Sequence, residues 1–170
     1  MIEKLDVYNK NKEKTGKTIE RNPKEKLEKG EYIIAVQCWI INSDGNILLT
    51  QRKLNKKHGG MWEPTSGLVI SGENSVQGIK RELLEEIGID ISENDLKICK
   101  EIIEERENVS FLRDIYVLRK DISLNTLNFK DGEVINAKYV SIEEFLNMIN
   151  QGESFEWLKY FVDLYKSLLY

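Results

Sequence analysis

The chain has 170 residues, of which 41% are hydrophobic, enough to bury a core in one domain. Its formal net charge of -4 gives no basic face for a nucleic-acid polymer, and no apolar run reaches membrane-spanning length. The first segment, "MIEKLDVYNKNKEK", is too polar for a secretory signal. Cys38 and Cys99 have no metal-binding or redox spacing and sit among apolar neighbours, so they read as free, buried thiols of a reducing compartment. A cytoplasmic location is the expectation.

In chain order, "KLDVYNKN" and "GKTIER" flank the turn-prone "NKEKTG", which predicts a small N-terminal hairpin. "EYIIAVQCWII" is a β-branched and aromatic run, followed by the turn at Asp44-Gly45 and by "ILLTQR". This reads as two strands, the first strongly buried. "KLNKKHGG" (53–60) is a basic loop ending in glycines, and "MWEPTSGLVISGE" (61–73) is short strand or loop broken by Pro64 and Gly67.

Helical periodicity starts near Asn74 or Ser75, and Gly88 is placed to end it. On a wheel stepping about 100° per residue from Glu82, an apolar arc of roughly 60–200° holds Val76, Ile79, Leu83, Leu84 and Ile87. Glu82, Glu85 and Glu86 occupy a separate arc from about -60° to 40°. "LKICKEIIEER" and "VSFLRDIYVL" read as a strand pair, "RKDISLNTLNFKDGE" as a polar loop and "VINAKYV" as a further strand. "SIEEFLNMI" opens with a capping box, Ser141 and Glu144. "SFEWLKYFVDLYKSLL" is an amphipathic helix through Phe155, Leu158, Phe161, Tyr165 and Leu168. Strands and helices mix without regular alternation, which favours a mixed-sheet α/β sandwich over a doubly wound sheet.

The acidic arc poses a physical problem. Like charges three or four residues apart on a helix cost roughly 0.2–0.5 kcal/mol per pair. Glu82 has Gly78, Ile79, Glu85 and Glu86 at those spacings, and only Glu85 finds a cation, Arg81. A solvated helix face is the ordinary fate of such a cluster. The alternative is an external positive charge: converging carboxylates make a hard, oxygen-rich site for Mg²⁺ or Mn²⁺. Mg²⁺ favours one or two carboxylates together with substrate phosphates, and it lowers the pKa of a bound water.

The wider window, Gly67 to Ile89, runs "GLVISGENSVQGIKRELLEEIGI". Gly67, Glu73, Arg81-Glu82, Glu85-Glu86 and Gly88 fall at the spacing of the Nudix box, which this segment resembles at every defining position. The resemblance implies an αβα sandwich with a mixed central sheet, as residues 30–170, with residues 1–29 as a hairpin extension packed on it. It implies a pyrophosphohydrolase that cleaves the diphosphate linkage of a nucleoside diphosphate derivative by water attack on phosphorus. It also assigns roles. Glu82, Glu85 and Glu86 would be metal ligands with the carbonyl at Ser66 or Gly67, Glu82 also lying near the attacking water. Glu73 would brace Arg81 and the helix start, and Glu133, six residues before Tyr139, sits where some relatives place a ligand or general base. Relatives often pair as homodimers.

For Glu73 and Arg81 the ordinary alternative is a surface ion pair, and for Glu133 a polar loop. Of Trp39, Trp62 and Trp157, burial is expected for Trp39 and Trp157, which leaves Trp62 as the candidate for stacking a nucleobase. His58 could touch phosphate with Lys56 and Lys57, or simply lie in a surface loop. The layout "DVYNKNKEKTGKTIER" with "QRK" and "GGMWEPTS" is also similar to isopentenyl-diphosphate isomerase relatives. Ser66 stands at the position matched to their cysteine, and one histidine cannot supply their metal cluster, so both count against isomerase activity, which stays as an alternative behind the hydrolase. A noncatalytic nucleotide- or diphosphate-sensing module is another, though such modules usually lose box glutamates.

Overall fold

A two-stranded antiparallel ribbon opens the computed structural model, which describes residues 2–21, 26–130 and 132–168. Strands β1 (Lys4–Tyr8) and β2 (Lys14–Glu20) pair Leu5 with Ile19 and Asp6 with Thr18. The period-two alternation drives Leu5, Val7 and Ile19 inward against Ile33, with Leu68, Ile70 and Phe111 packed around them. At the tip, Asn9 Oδ1 accepts from the backbone N–H of Asn11 and of Glu13, and Lys12 takes a left-handed φ of 61°.

Next comes β3 (Ile33–Ile41), all nine residues buried, then β4 (Ile47–Arg52), paired through Ile40 with Leu48 and Ile41 with Ile47. Gly45 in the turn between them has φ 79°, and a Cβ there would stand 2.8 Å from the Tyr165 hydroxyl, so the site suits glycine alone. Then follow β5 (Trp62–Glu63), β6 (Thr65–Leu68), α1 (Ser75–Ile87), β7 (Leu96–Glu104), β8 (Phe111–Arg119), β9 (Val134–Val140), α2 (Ile142–Asn150) and α3 (Tyr160–Leu168). The main sheet has the order β5-β4-β3-β8-β7, with β6 paired to β3 and β9 to β4. This is the expected mixed α/β architecture with its N-terminal hairpin.

The chain forms two compact units. One comprises Met1–Cys38, Ser66–Leu83 and Asp90–Val117; the other comprises Trp39–Thr65, Leu84–Ile89 and Leu118–Tyr170. The core of the second is aromatic. The Trp39 ring stacks on Phe161 at 3.7 Å, meets Phe145 edge-on at 5.3 Å, and its Nε1 donates to the Tyr160 hydroxyl. Ser141 caps α2 by accepting from the Glu144 N–H at 3.1 Å. Among the described residues, no helix is long and apolar enough to cross a membrane.

Four expectations change. The last helix begins as a 3₁₀ turn, Glu156–Lys159, before α3, a common way for a helix start to tighten; Leu169, its expected end, lies outside the described residues. Trp157 is 40% exposed, whereas Leu158, Phe161 and Tyr165 form the buried stripe, and Trp157 lies in the 3₁₀ turn at its edge. Leu84 is 43% exposed for the same kind of reason, lying at the far edge of the predicted apolar arc. Cys38 is buried but Cys99, on β7 at the end of the sheet order, is only partly so.

Candidate active site

The site is built from the loop after β6 and from α1. Asn74 and Gln77 cap the helix reciprocally: Asn74 Oδ1 accepts from the Gln77 N–H, and Gln77 Oε1 from the Asn74 N–H, each at 2.9 Å. A Cβ on Gly78 would lie 2.9 Å from Val69 Cγ2, so the absence of a side chain lets this turn of helix lie close to Val69. Gly88 ends the helix with φ 76°.

The buried arc of α1 differs from the apolar arc. Gly78, Ile79, Leu83 and Ile87 are buried, and so are Glu82 at 5% and Glu86 at 9% exposure, whereas Glu85 is exposed. Two carboxylates one turn apart therefore stand on the inward side of the helix. A solvated acidic face describes Glu85 alone.

Arg81 gathers this part of the box. Its Nε donates to Glu73 Oε1 at 2.9 Å, Nη1 to Glu82 Oε1 at 2.9 Å, and Nη2 to Glu73 Oε2 at 3.2 Å and to the Leu68 carbonyl at 2.8 Å. The cation thus reaches its own neighbour Glu82, which helical i+3 and i+4 spacing does not anticipate. Burial alone would favour loss of the Arg81 proton. The carboxylates of Glu73 and Glu82 outweigh burial and hold its pKa above the usual arginine value. Opposite Glu82 lies Gly67, where a Cβ would come within 2.0 Å of Glu82 Cδ and Oε1. The carboxylate packs directly on backbone.

Among the described residues, no three His, Cys, Asp or Glu side chains are gathered to hold an ion as they stand. The donor chemistry nevertheless fits a hard divalent cation. Glu82 and Glu86 are inward-facing carboxylates one turn apart, and the backbone at Gly67 lies against one of them.

The remaining candidates lie on other segments. Glu133, just before β9, forms an exposed pair with Lys56 Nζ at 2.8 Å, and its carbonyl accepts from the Lys53 N–H. Lys57 and His58 are exposed in the 53–60 loop, which is pinned by Arg52 Nε on the Lys57 carbonyl and by Gln51 on the Gly60 carbonyl. His58 has φ 59° and meets Phe155 edge-on at 5.5 Å. Trp62 is buried, with Lys138 Nζ 4.7 Å over its ring. Among the described residues, three further charged groups are buried without having been singled out from the sequence: Glu63, paired with Arg52 at 2.5 Å, Asp114, paired with Lys12 at 2.5 Å, and Arg113, paired with Glu104. Their signal was a charge inside an apolar run, as in "FLRDIYVL".

The NUDIX domain model matches residues 14–161. This chain belongs to the Nudix family. An uncharacterised Nudix hydrolase of Listeria monocytogenes is 32% identical over 156 residues, spanning 89% of this chain and 88% of the relative. A crystal structure from Deinococcus radiodurans superposes with a TM-score of 0.70 at 22% identity, covering 88% of this chain and 90% of that one. The NUDIX domain of Shewanella oneidensis NrtR, complexed with ADP-ribose, gives 0.64 at 16% identity over 82% and 89% of the two chains. The fold is thus the Nudix fold, and the chain is a hydrolase acting on diphosphate anhydrides.

Proposed function

We propose that this Nudix hydrolase is a metal-dependent pyrophosphohydrolase that cleaves the diphosphate linkage of a nucleoside diphosphate derivative by attack of water on phosphorus. The observation that carries the reading is the burial of Glu82 and Glu86 one turn apart, with Glu82 seated on Gly67. Buried like charges are tolerated when a cation compensates them, and Arg81 shares itself between Glu73, Glu82 and a carbonyl.

Glu82, Glu85 and Glu86, with the carbonyl at Ser66 or Gly67, would hold Mg²⁺ or Mn²⁺. Such an ion neutralises phosphate charge and acidifies bound water. Glu82 would orient the attacking water and accept its proton. Arg81, braced by Glu73, would orient the Glu82 carboxylate, so that the acceptor is in place before substrate arrives. Glu133 would serve as a further ligand or base after release from Lys56. Lys57 and His58 would meet phosphate oxygens, and Trp62 would line the nucleoside side. A small nucleotide ligand accords with the ADP-ribose bound to the Shewanella oneidensis domain and with the Ap4A hydrolase of Caenorhabditis elegans among the structural neighbours.

A panel of nucleoside diphosphate derivatives assayed with Mg²⁺ and Mn²⁺ tests this. Turnover depends on the metal, and Glu86→Gln lowers kcat on the order of 100-fold or more. Nucleotide binding with no metal-dependent cleavage into two phosphomonoesters would instead mark a sensing module.

A further inference from the structure

The N-terminal hairpin bonds the loop of the Nudix box through Lys4 and Asp6, and through Lys12 it reaches the carboxylate that holds the head of α1. The Ser71 N–H donates to the Lys4 carbonyl at 2.7 Å. Asp6 then takes both the Ser71 hydroxyl on Oδ1 at 2.6 Å and the Gly72 N–H on Oδ2 at 3.2 Å, while Lys14 Nζ holds the same Oδ2 at 2.7 Å. From the hairpin tip, Lys12 reaches Asp114 Oδ1 at 2.5 Å and also bonds Glu101. The other Asp114 oxygen receives the hydroxyl of Ser75, the first residue of α1, at 2.6 Å, and that hydroxyl lies 2.8 Å from the Tyr116 hydroxyl. Asp114 is 2% exposed.

These contacts bracket Glu73. Gly72 on one side is fixed by Asp6, and Ser75 on the other is fixed through Asp114 by Lys12. Glu73 in turn holds Arg81, and Arg81 holds Glu82. An α-helix is stiff along its axis, so a head fixed at Ser75 also fixes Glu82 two turns on. Ordinary packing of a hairpin needs only its apolar face, here Leu5, Val7 and Ile19. The polar edge is the surplus: Asp6, itself held by Lys14, ends on the box loop, and Lys12 ends on Glu101 and on Asp114, the carboxylate that holds the helix head.

We propose that the hairpin is a working part of the catalytic box, in which Asp6 and Lys12 are positioning residues that set the loop before Glu73 and the head of α1, and thereby the placement of Glu82. The proposal rests on the reading of Glu82 as a group of the reaction site. It makes residues 1–21 a determinant of turnover rather than an appended extension.

The test compares Asp6→Ala, Asp6→Asn, Lys12→Met and Lys12→Arg with the full-length wild type. Asp6→Ala and Lys12→Met lower kcat by about 10- to 100-fold while KM for the diphosphate substrate stays within about threefold, since a misplaced group costs rate more than ground-state binding. Lys12→Arg, which keeps the cation for Asp114, recovers most of the loss. Asp6→Asn, which keeps one acceptor, falls between. Hydrogen exchange gives a reading independent of turnover: the Gly72 amide of Asp6→Ala exchanges faster, with unchanged protection in β3. Should Asp6→Ala fail to fold, Asp6→Asn and the Lys12 pair carry the comparison. Unchanged kcat in Lys12→Met and Asp6→Asn, with only a lowered Tm, would overturn the proposal. Wild-type enzyme without metal-dependent turnover would sink the catalytic reading instead, and Gly72 exchange would then report on the hairpin alone.

Discussion

The carboxylate of Glu82 rests on the backbone of Gly67, so closely that a methyl group there would lie 2.0 Å from Glu82 Cδ and Oε1. Glycine at this place in the box thus has a steric meaning: it is the seat of a carboxylate.

Gly67→Ala follows from that contact. The atoms it strikes belong to the buried Glu82 side chain, which is forced off Arg81, so stability falls by about 3 kcal/mol. Turnover falls about 100-fold, because Glu82 leaves its place beside Arg81. Steady-state kinetics with parallel urea unfolding separates the two effects. A large stability loss with normal turnover would contradict the seating.

Arg81→Met removes the cation shared by Glu73 and Glu82. Both carboxylates are largely buried, with side-chain exposures of 20% and 7%, and losing their partner costs about 3–5 kcal/mol. Arg81→Lys rescues little of this, since one ammonium cannot span two carboxylates and the Leu68 carbonyl together. Urea midpoints of the two variants, compared with wild type, read this directly.

Glu104 gives a pH dependence of stability. Burial alone would raise its carboxyl, but Arg113 and Arg106 outweigh burial and hold the pKa below the ordinary 4.5. The folded state therefore binds its proton more weakly than the unfolded state. The resulting stability is complete above about pH 4.5 and is lost as pH falls through the depressed folded value. Glu104→Gln costs about 1.5–3 kcal/mol at pH 7 and flattens the acid limb of a plot of unfolding free energy against pH. An acid limb identical to wild type would show that Glu104 does not contribute.

The thiols are predicted to be inert. Burial pushes Cys99 up to about 11 and Cys38 higher still, so that the thiolate is a fraction on the order of 10⁻³ at pH 8 for Cys99. An aromatic disulfide reagent labels neither thiol quickly in native protein and labels both in denaturant. Rapid native labelling of one thiol would contradict this.

The Nudix box, the hairpin, the start of α1 at Ser75 and its end before Gly88 were all legible in the sequence. Each depends on local chemistry: turn residues, caps and periodicity within a few residues. The apolar face of α1 was legible through Ile79, Leu83 and Ile87, but its carboxylates were not sorted. A wheel cannot say that Glu82 and Glu86 turn inward and Glu85 outward, because what lies opposite each side chain comes from other segments. Trp157 misled for the same reason, its burial depending on which stripe of the last helix meets Trp39.

Sequence alone determined the chemistry available: three glutamates at helical spacing, an arginine beside them and glycines where backbone must come close. Tertiary structure decided what each group faces. It seated Glu82 on Gly67, turned Arg81 to Glu73, and brought Asp6 onto the box and Lys12 onto Asp114, which holds the head of α1. Covalent order fixes neighbours up to a helical turn away. Partners some 65 to 100 positions apart, such as Asp6 with Ser71 and Lys12 with Asp114, are chosen only when burial makes every polar group find one.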